Sequence, residues 1–158
     1  MSNSENKIIA NRPKPQTLCI YHGNCADGCT AAWVVRKAQQ EGLIEGEIEY
    51  LAATYSVPLT NKLILPLSGR DVILVDFSFK RARMLALIEE ANSVLVLDHH
   101  KTAEKELEGL STEVNLNDVE FNTLPVYLRQ CGLWKCLCCF AMNRSGAGIS
   151  WDSFFLNK

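Results

Sequence analysis

No apolar run in this chain approaches the roughly 20 residues that a membrane-spanning helix needs, so no membrane partner is expected. The opening Met1-Ser2-Asn3-Ser4-Glu5-Asn6-Lys7 lacks the charged and apolar regions of a secretory signal. Positive charge is not in excess either: a net charge of −2 leaves no electrostatic footprint for long duplex DNA. Nucleotides and short oligonucleotides stay open as partners, because a bound cation can neutralise their phosphates locally. A disulfide framework is not expected. The seven cysteines are an odd number, and Cys19, Cys25 and Cys29 lie in or beside apolar motifs. That usage fits reduced thiols, and the expected compartment is cytoplasmic.

Histidine is scarce too, and its placement is the main signal. All three histidines lie beside carboxylates at predicted strand ends. His22 opens His22-Gly23-Asn24-Cys25-Ala26-Asp27-Gly28, and His99 and His100 follow Asp98 directly. Between them Asp76 closes the apolar run Val72-Ile73-Leu74-Val75. Imidazole and carboxylate hold divalent cations while leaving positions for water or phosphate oxygens.

A chain of 158 residues, 47% hydrophobic and 22% charged, suits one soluble domain with a proper core. Residues 1–16 are polar with Pro13 and Pro15 and are expected to form a disordered tail, leaving 17–158 as a single domain. Residues 17–21 read as a buried strand. Over 30–40, Ala31, Ala32, Val34, Val35 and Ala38 recur at helical spacing, with Gly42 as the stop. Residues 47–51 suggest a second strand, and 56–69 a connection of undefined shape. Residues 71–76 and 93–97 read as strands covered on both faces, flanking an amphipathic helix over 80–91 with Met84, Leu85, Leu87 and Ile88. This alternation predicts an α/β fold with a mostly parallel sheet flanked by helices. Ligands bind such sheets beyond the carboxyl ends of the strands, where His22, Asp76 and Asp98 would converge.

Each motif also has an ordinary structural explanation. Asp76 could cap the following helix. Asp98-His99-His100 could be a solvated loop, and Gly28 could serve only a tight turn. The apolar stretch 124–140 holds Cys131, Cys136, Cys138, Cys139 and Trp134. Its cysteine spacing fits no standard zinc knuckle, so an apolar helix is expected there. If exposed, that patch would favour self-association into a homo-oligomer. Ser145 reads as the N-cap of a last helix, and Arg144 either reaches a phosphate or is simply solvated.

Taken together, His22…Asp27-Gly28-x-Thr30-Ala31, then Asp76, then Asp98-His99-His100 resembles the DHH phosphoesterase superfamily. The likeness covers about residues 17–103, and more weakly Asn143-Arg144-Ser145-Gly146-Ala147-Gly148. That superfamily includes single-strand exonucleases, oligoribonucleotide-degrading enzymes, cyclic-dinucleotide phosphodiesterases and inorganic pyrophosphatases. The resemblance implies a DHH-type amino-terminal domain with one or two Mn²⁺ ions, Mg²⁺ or Zn²⁺ being alternatives. It implies that His22 binds the first ion, Asp27 the second, and that Asp76 bridges them. His99 would bind metal, Asp98 would bind or orient the site, and His100 would contact substrate phosphate with Arg144 and Ser145. Asp98 and His100 are thereby the expected catalytic residues.

Two features depart from that pattern. Cys25 stands where the family's Asp-x-Asp-Gly motif has its first aspartate, one residue closer to His22 than in many members. A thiolate is a soft ligand better matched to zinc than to manganese. The family's fourth-motif aspartate and separate carboxy-terminal domain are not found before Lys158, so the domain is expected to be incomplete at its C-terminus. Asp152, flanked by large aromatics, is not assigned that role. The expected function is hydrolysis of a phosphodiester or phosphoanhydride bond in a nucleotide or short oligonucleotide. The alternatives are a catalytically impaired nucleotide- or protein-binding domain, and a zinc- or redox-regulated module built on the cysteines.

Overall fold

The computed structural model describes residues 17–55, 66–110 and 135–155. The expected tail at 1–16, most of the connection at 56–69, and Cys131 and Trp134 lie outside the described residues. Five strands form one sheet: β1 (Thr17–His22), β2 (Ile48–Ala53), β3 (Asp71–Val75), β4 (Ser93–Asp98) and β5 (Cys136–Phe140). They are ordered β2-β1-β3-β4-β5 and every pairing is parallel. Among the described residues four helices accompany them: α1 (Ala26–Gln40), α2 (Arg81–Glu90), α3 (Lys101–Glu106) and α4 (Gly146–Phe155). The expected α/β class is what the chain adopts. Among the described residues no helix is long and apolar enough to cross a membrane.

The strands are apolar on both faces because both are covered. Cys19, Ile73, Val75, Leu95, Leu97, Leu137 and Cys139 pack against α1 and α4 through Ala31, Val34, Val35, Ala38, Ile149, Phe154 and Phe155. The intervening residues Leu18, Ile20, Val72, Leu74, Val94 and Val96 pack against Met84 and Leu87 of α2 and against Phe77 and Leu107. This period-two division of one continuous apolar strand is what a sheet between helical layers requires. In α2 only Met84 and Leu87 are buried, whereas Leu85 faces solvent, so its apolar stripe is narrower than expected.

Two elements differ from the sequence expectation. Helix α1 begins at Ala26, four residues before the apolar periodicity does. Asp27 occupies its first turn, where a carboxylate complements the helix dipole. A Cβ on Gly28 would come within 2.2 Å of the His22 carbonyl oxygen, so this glycine serves close packing of helix on strand end. At the other end Gly42, with φ 75°, donates to Gln39 O while Leu43 donates to Ala38 O, a Schellman closure. The second difference is β5: part of the stretch expected to be helical is a strand paired to β4. A short run such as Cys136-Leu137-Cys138-Cys139-Phe140 is equally apolar as a strand or a helix, and pairing decides it. Cys136 and Cys139 consequently fall in opposite core layers and cannot share a metal ion.

Candidate metal centre

Three adjacent strands deliver the polar residues to one mouth. Tyr21, Val75 and Leu97 are in register across β1, β3 and β4. The next residues are therefore His22, Asp76 and Asp98, side by side at the carboxyl ends. Asp76 is 2% exposed and has φ 52°, a left-handed conformation that costs a non-glycine residue about 1 kcal/mol. Its amide donates to Leu97 O at 2.9 Å, holding the turn. Its carboxylate faces two different donor sets. Oδ1 lies 3.0 Å from His99 Nε2, which is also 3.5 Å from Asp27 Oδ2. Oδ2 lies 3.5 Å from His22 Nδ1 and accepts from Cys25 Sγ at 3.6 Å. His22 Nδ1 is enclosed and makes no hydrogen bond, so its approach to Asp76 is electrostatic only.

Asp27 is fixed from the opposite side of the mouth. Gly146 N and Ala147 N, the first amides of α4, each donate to its carboxylate at 2.8 Å. This approach requires glycine at 146, because a Cβ there would lie 2.5 Å from Asp76 Cβ. Asp98 is fully buried. Its Oδ1 accepts from His99 N at 2.8 Å and His100 Nδ1 at 2.6 Å, while Oδ2 has no hydrogen-bond partner. Donor atoms of Asp76, Asp98, His99 and His100 lie within 4.8 Å of one another, as do those of His22, Cys25 and Asp76.

Negative charge accumulates in this arrangement. Burial, then the neighbouring Asp27, push the Asp76 carboxyl above its usual range, against the opposing pull of His99 and His100. Among the described residues these three carboxylates form ion pairs with imidazoles alone, and no Lys or Arg joins them. Carboxylates crowded in this way, Asp76 and Asp98 buried and Asp27 partly so, are the donor chemistry of a divalent-cation site.

The structure thus brings together His22, Cys25, Asp27, Asp76, Asp98, His99 and His100. Two candidate phosphate contacts are engaged with other partners. Ser145 Oγ accepts from Gly148 N at 3.0 Å as the N-cap of α4, and the Arg144 guanidinium pairs with Asp152 at 2.5 Å. The anion-binding amides at the start of α4 are occupied by Asp27. That use of Gly146 and Ala147 was not read from the sequence, since the contact spans 119 residues.

Tyr55 is a further residue that sequence reasoning missed. Its ring lies 5.3 Å from His22, 4.8 Å from Phe77 and 6.1 Å from His100, yet the residue is 58% exposed. Burial of its hydroxyl, then the charge of Asp98, push that pKa up to about 12, so the phenol keeps its proton at neutral pH. Its position just past β2 was the available signal, because the same strand-end rule that selects His22 applies there.

No family model matches this chain. It is similar to an uncharacterized protein of Acanthamoeba polyphaga mimivirus, with 28% identity over 164 residues. The match covers 100% of this chain and 33% of the viral protein, so the chain spans about a third of the length of the curated relative it matches.

Proposed function

We propose that this domain is the core of a metal-dependent phosphoesterase of the DHH type, acting on a phosphodiester or phosphoanhydride of a nucleotide or short oligonucleotide. The observation that carries this reading is the division of the Asp76 carboxylate, with one oxygen toward His99 and the other toward His22 and Cys25. A buried carboxylate placed between two donor sets is suited to bridging two cations. His22, Cys25 and Asp76 would hold one ion, and Asp27, Asp76, Asp98 and His99 the other. Divalent ions bound there would supply Lewis acidity and a lowered pKa for attacking water.

The polypeptide's own part is positioning. Asp98 Oδ1 accepts a hydrogen bond from His100 Nδ1, which orients the ring and leaves Nε2 for a phosphate oxygen. The α4 amides hold the Asp27 carboxylate in place and aimed into the mouth. Protonated Tyr55 offers a donor and a ring face at the rim, where a nucleobase or ribose would lie.

The test is release of p-nitrophenolate from bis-p-nitrophenyl phosphate in the presence of Mn²⁺. Turnover lost in both Asp76→Asn and Asp98→Asn supports the reading, and turnover unaffected by them refutes it. Cys25 in place of the first motif aspartate favours one rival, a nucleotide-binding domain without turnover. Metal and nucleotide binding by calorimetry, with no hydrolysis, would establish that rival.

A further inference from the structure

We infer that the two halves of this centre differ in metal preference, the His22–Cys25–Asp76 half being a thiolate site for a zinc-class divalent cation rather than for manganese. This rests on the metal-centre reading above and goes beyond it, because the family resemblance implies like ions on oxygen and nitrogen donors throughout.

Four observations carry it. Cys25 occupies the N-cap of α1 with extended backbone, yet makes no capping hydrogen bond. Ser, Thr, Asp or Asn would stabilise that position by about 1 kcal/mol more than a non-capping residue, so capping does not explain the thiol. Sγ turns instead to Asp76 Oδ2. Next, the spacing fits. A tetrahedral zinc ion, about 2.3 Å from sulfur and about 2.1 Å from nitrogen or oxygen, sets its donors about 3.4–3.6 Å apart. The separations here are 3.6 Å for Cys25 Sγ to Asp76 Oδ2 and 3.5 Å for His22 Nδ1 to the same oxygen. Third, His22 Nδ1 and Asp98 Oδ2, the latter on a fully buried side chain, are both enclosed without hydrogen-bond partners. Such atoms are stable when a cation takes their lone pairs. Last, the donor types sort themselves. Sulfur and imidazole lie on the Oδ2 side of Asp76, and further carboxylates with His99 lie on the Oδ1 side. Soft donors select zinc-class ions, and oxygen-rich sets suit manganese or magnesium.

Binding converts the Cys25 thiol to a thiolate. The S–H bond breaks, a sulfur–metal bond forms, and the proton passes to solvent. Three protein donors leave one coordination position for water or substrate, as in catalytic zinc sites.

The test uses the full chain, stripped with a chelator and titrated with Co²⁺, whose thiolate complexes show a near-ultraviolet charge-transfer band. The band is expected in the wild type, absent in Cys25→Ser and retained in Cys138→Ser. Cys25→Asp is expected to lose the band and still bind Mn²⁺. In zinc–manganese competition it should shift toward manganese by at least about tenfold, since even outer partners of metal ligands are worth 10–100-fold in affinity. Stoichiometric cobalt without a band, or a band lost with Cys138 and kept without Cys25, overturns the inference. Manganese-dependent hydrolysis with no thiolate band would sink this inference alone. A Cys25-dependent band without hydrolysis would sink the phosphoesterase reading alone, and no metal binding at all would sink both.

Discussion

The two ends of the sheet handle buried charge in opposite ways. At the amino ends of the strands, Arg70 is 4% exposed and its guanidinium donates to Glu49 at 2.7 Å. Asp71 nearby accepts from Asn92 Nδ2 at 2.8 Å and Ser93 Oγ at 2.7 Å. There a cation meets an anion and a carboxylate meets donors. Thr17 Oγ1 and Arg70 Nε lack partners, yet each formal charge meets an opposite charge or hydrogen-bond donors. At the carboxyl ends, Asp27, Asp76 and Asp98 crowd together with imidazoles and a thiol, Asp76 has left-handed backbone, and Asp98 Oδ2 is enclosed without a donor. One end is completed by the fold itself. The other concentrates three carboxylates that no Lys or Arg among the described residues neutralises, which is the pattern of a binding site.

Asp76→Asn should break this contrast most severely. Losing the shared carboxylate is expected to lower divalent-metal affinity by at least about 100-fold, read by calorimetry. Stability should move the other way. Burial and Asp27 raise the Asp76 pKa in the folded protein, so the folded state holds that proton more tightly than the unfolded chain, whose value is 3.8. The resulting stabilisation is complete below pH 3.8 and is lost as pH rises through the higher folded value. Metal-free Asp76→Asn should therefore show a flatter dependence of Tm on pH above that point, and a Tm at pH 7 no lower than wild type. A lower Tm with unchanged metal affinity would make Asp76 a structural residue like those at the amino end.

Gly146→Ala tests whether the site depends on close backbone approach. Its Cβ would meet Asp76 at 2.5 Å, and overpacking of that kind costs about 1–3 kcal/mol. The Asp27 contact to the α4 amides should loosen with it, so metal affinity and Tm fall together. Gly148→Ala two residues on meets only the Arg144 and Ser145 side chains, at 3.3 Å, and should be close to neutral by thermal melting. Equal effects at the two glycines would remove Gly146 from any special role. At the amino end, Arg70→Met should lower stability by about 1–3 kcal/mol, because Glu49 is exposed enough to rehydrate. Metal affinity should not change. Loss of metal binding in Arg70→Met would mean that the two ends are not separable.

The contrast also explains what the sequence made legible. Strand ends were readable because β3 and β4 are unbroken apolar runs closed by Asp76 and Asp98, and parallel topology then dictates where those residues meet. Features made by tertiary partners were not readable. Whether Cys136–Phe140 is strand or helix depends on β4, not on its own periodicity. Asp27 finding the amides of Gly146 and Ala147 joins segments more than a hundred residues apart. Cys25 stood out only as a missing aspartate, and its spacing to Asp76 and His22 gives that substitution a chemical reading. Tyr55 carries no motif of its own, and only its place just past the end of β2 points to the site.

Arg144→Ala carries the smallest expected effect and sharpens the boundary of the site. The sequence suggested a phosphate contact, whereas the folded chain pairs this guanidinium with Asp152 over the first turns of α4. Both side chains are partly exposed, and pairs of that kind are worth about 0–1 kcal/mol. Thermal melting should therefore register almost no change, and if Asp152 is the permanent partner, KM for a phosphodiester substrate should be unchanged as well. A KM raised tenfold at unchanged Tm would show the guanidinium leaving Asp152 for the substrate, a surface ion pair exchanged for a charge-assisted bond to phosphate. Asp152→Asn then separates the two cases. It should lower KM if the aspartate competes with substrate for Arg144, and leave it unaltered if the arginine belongs to the scaffold.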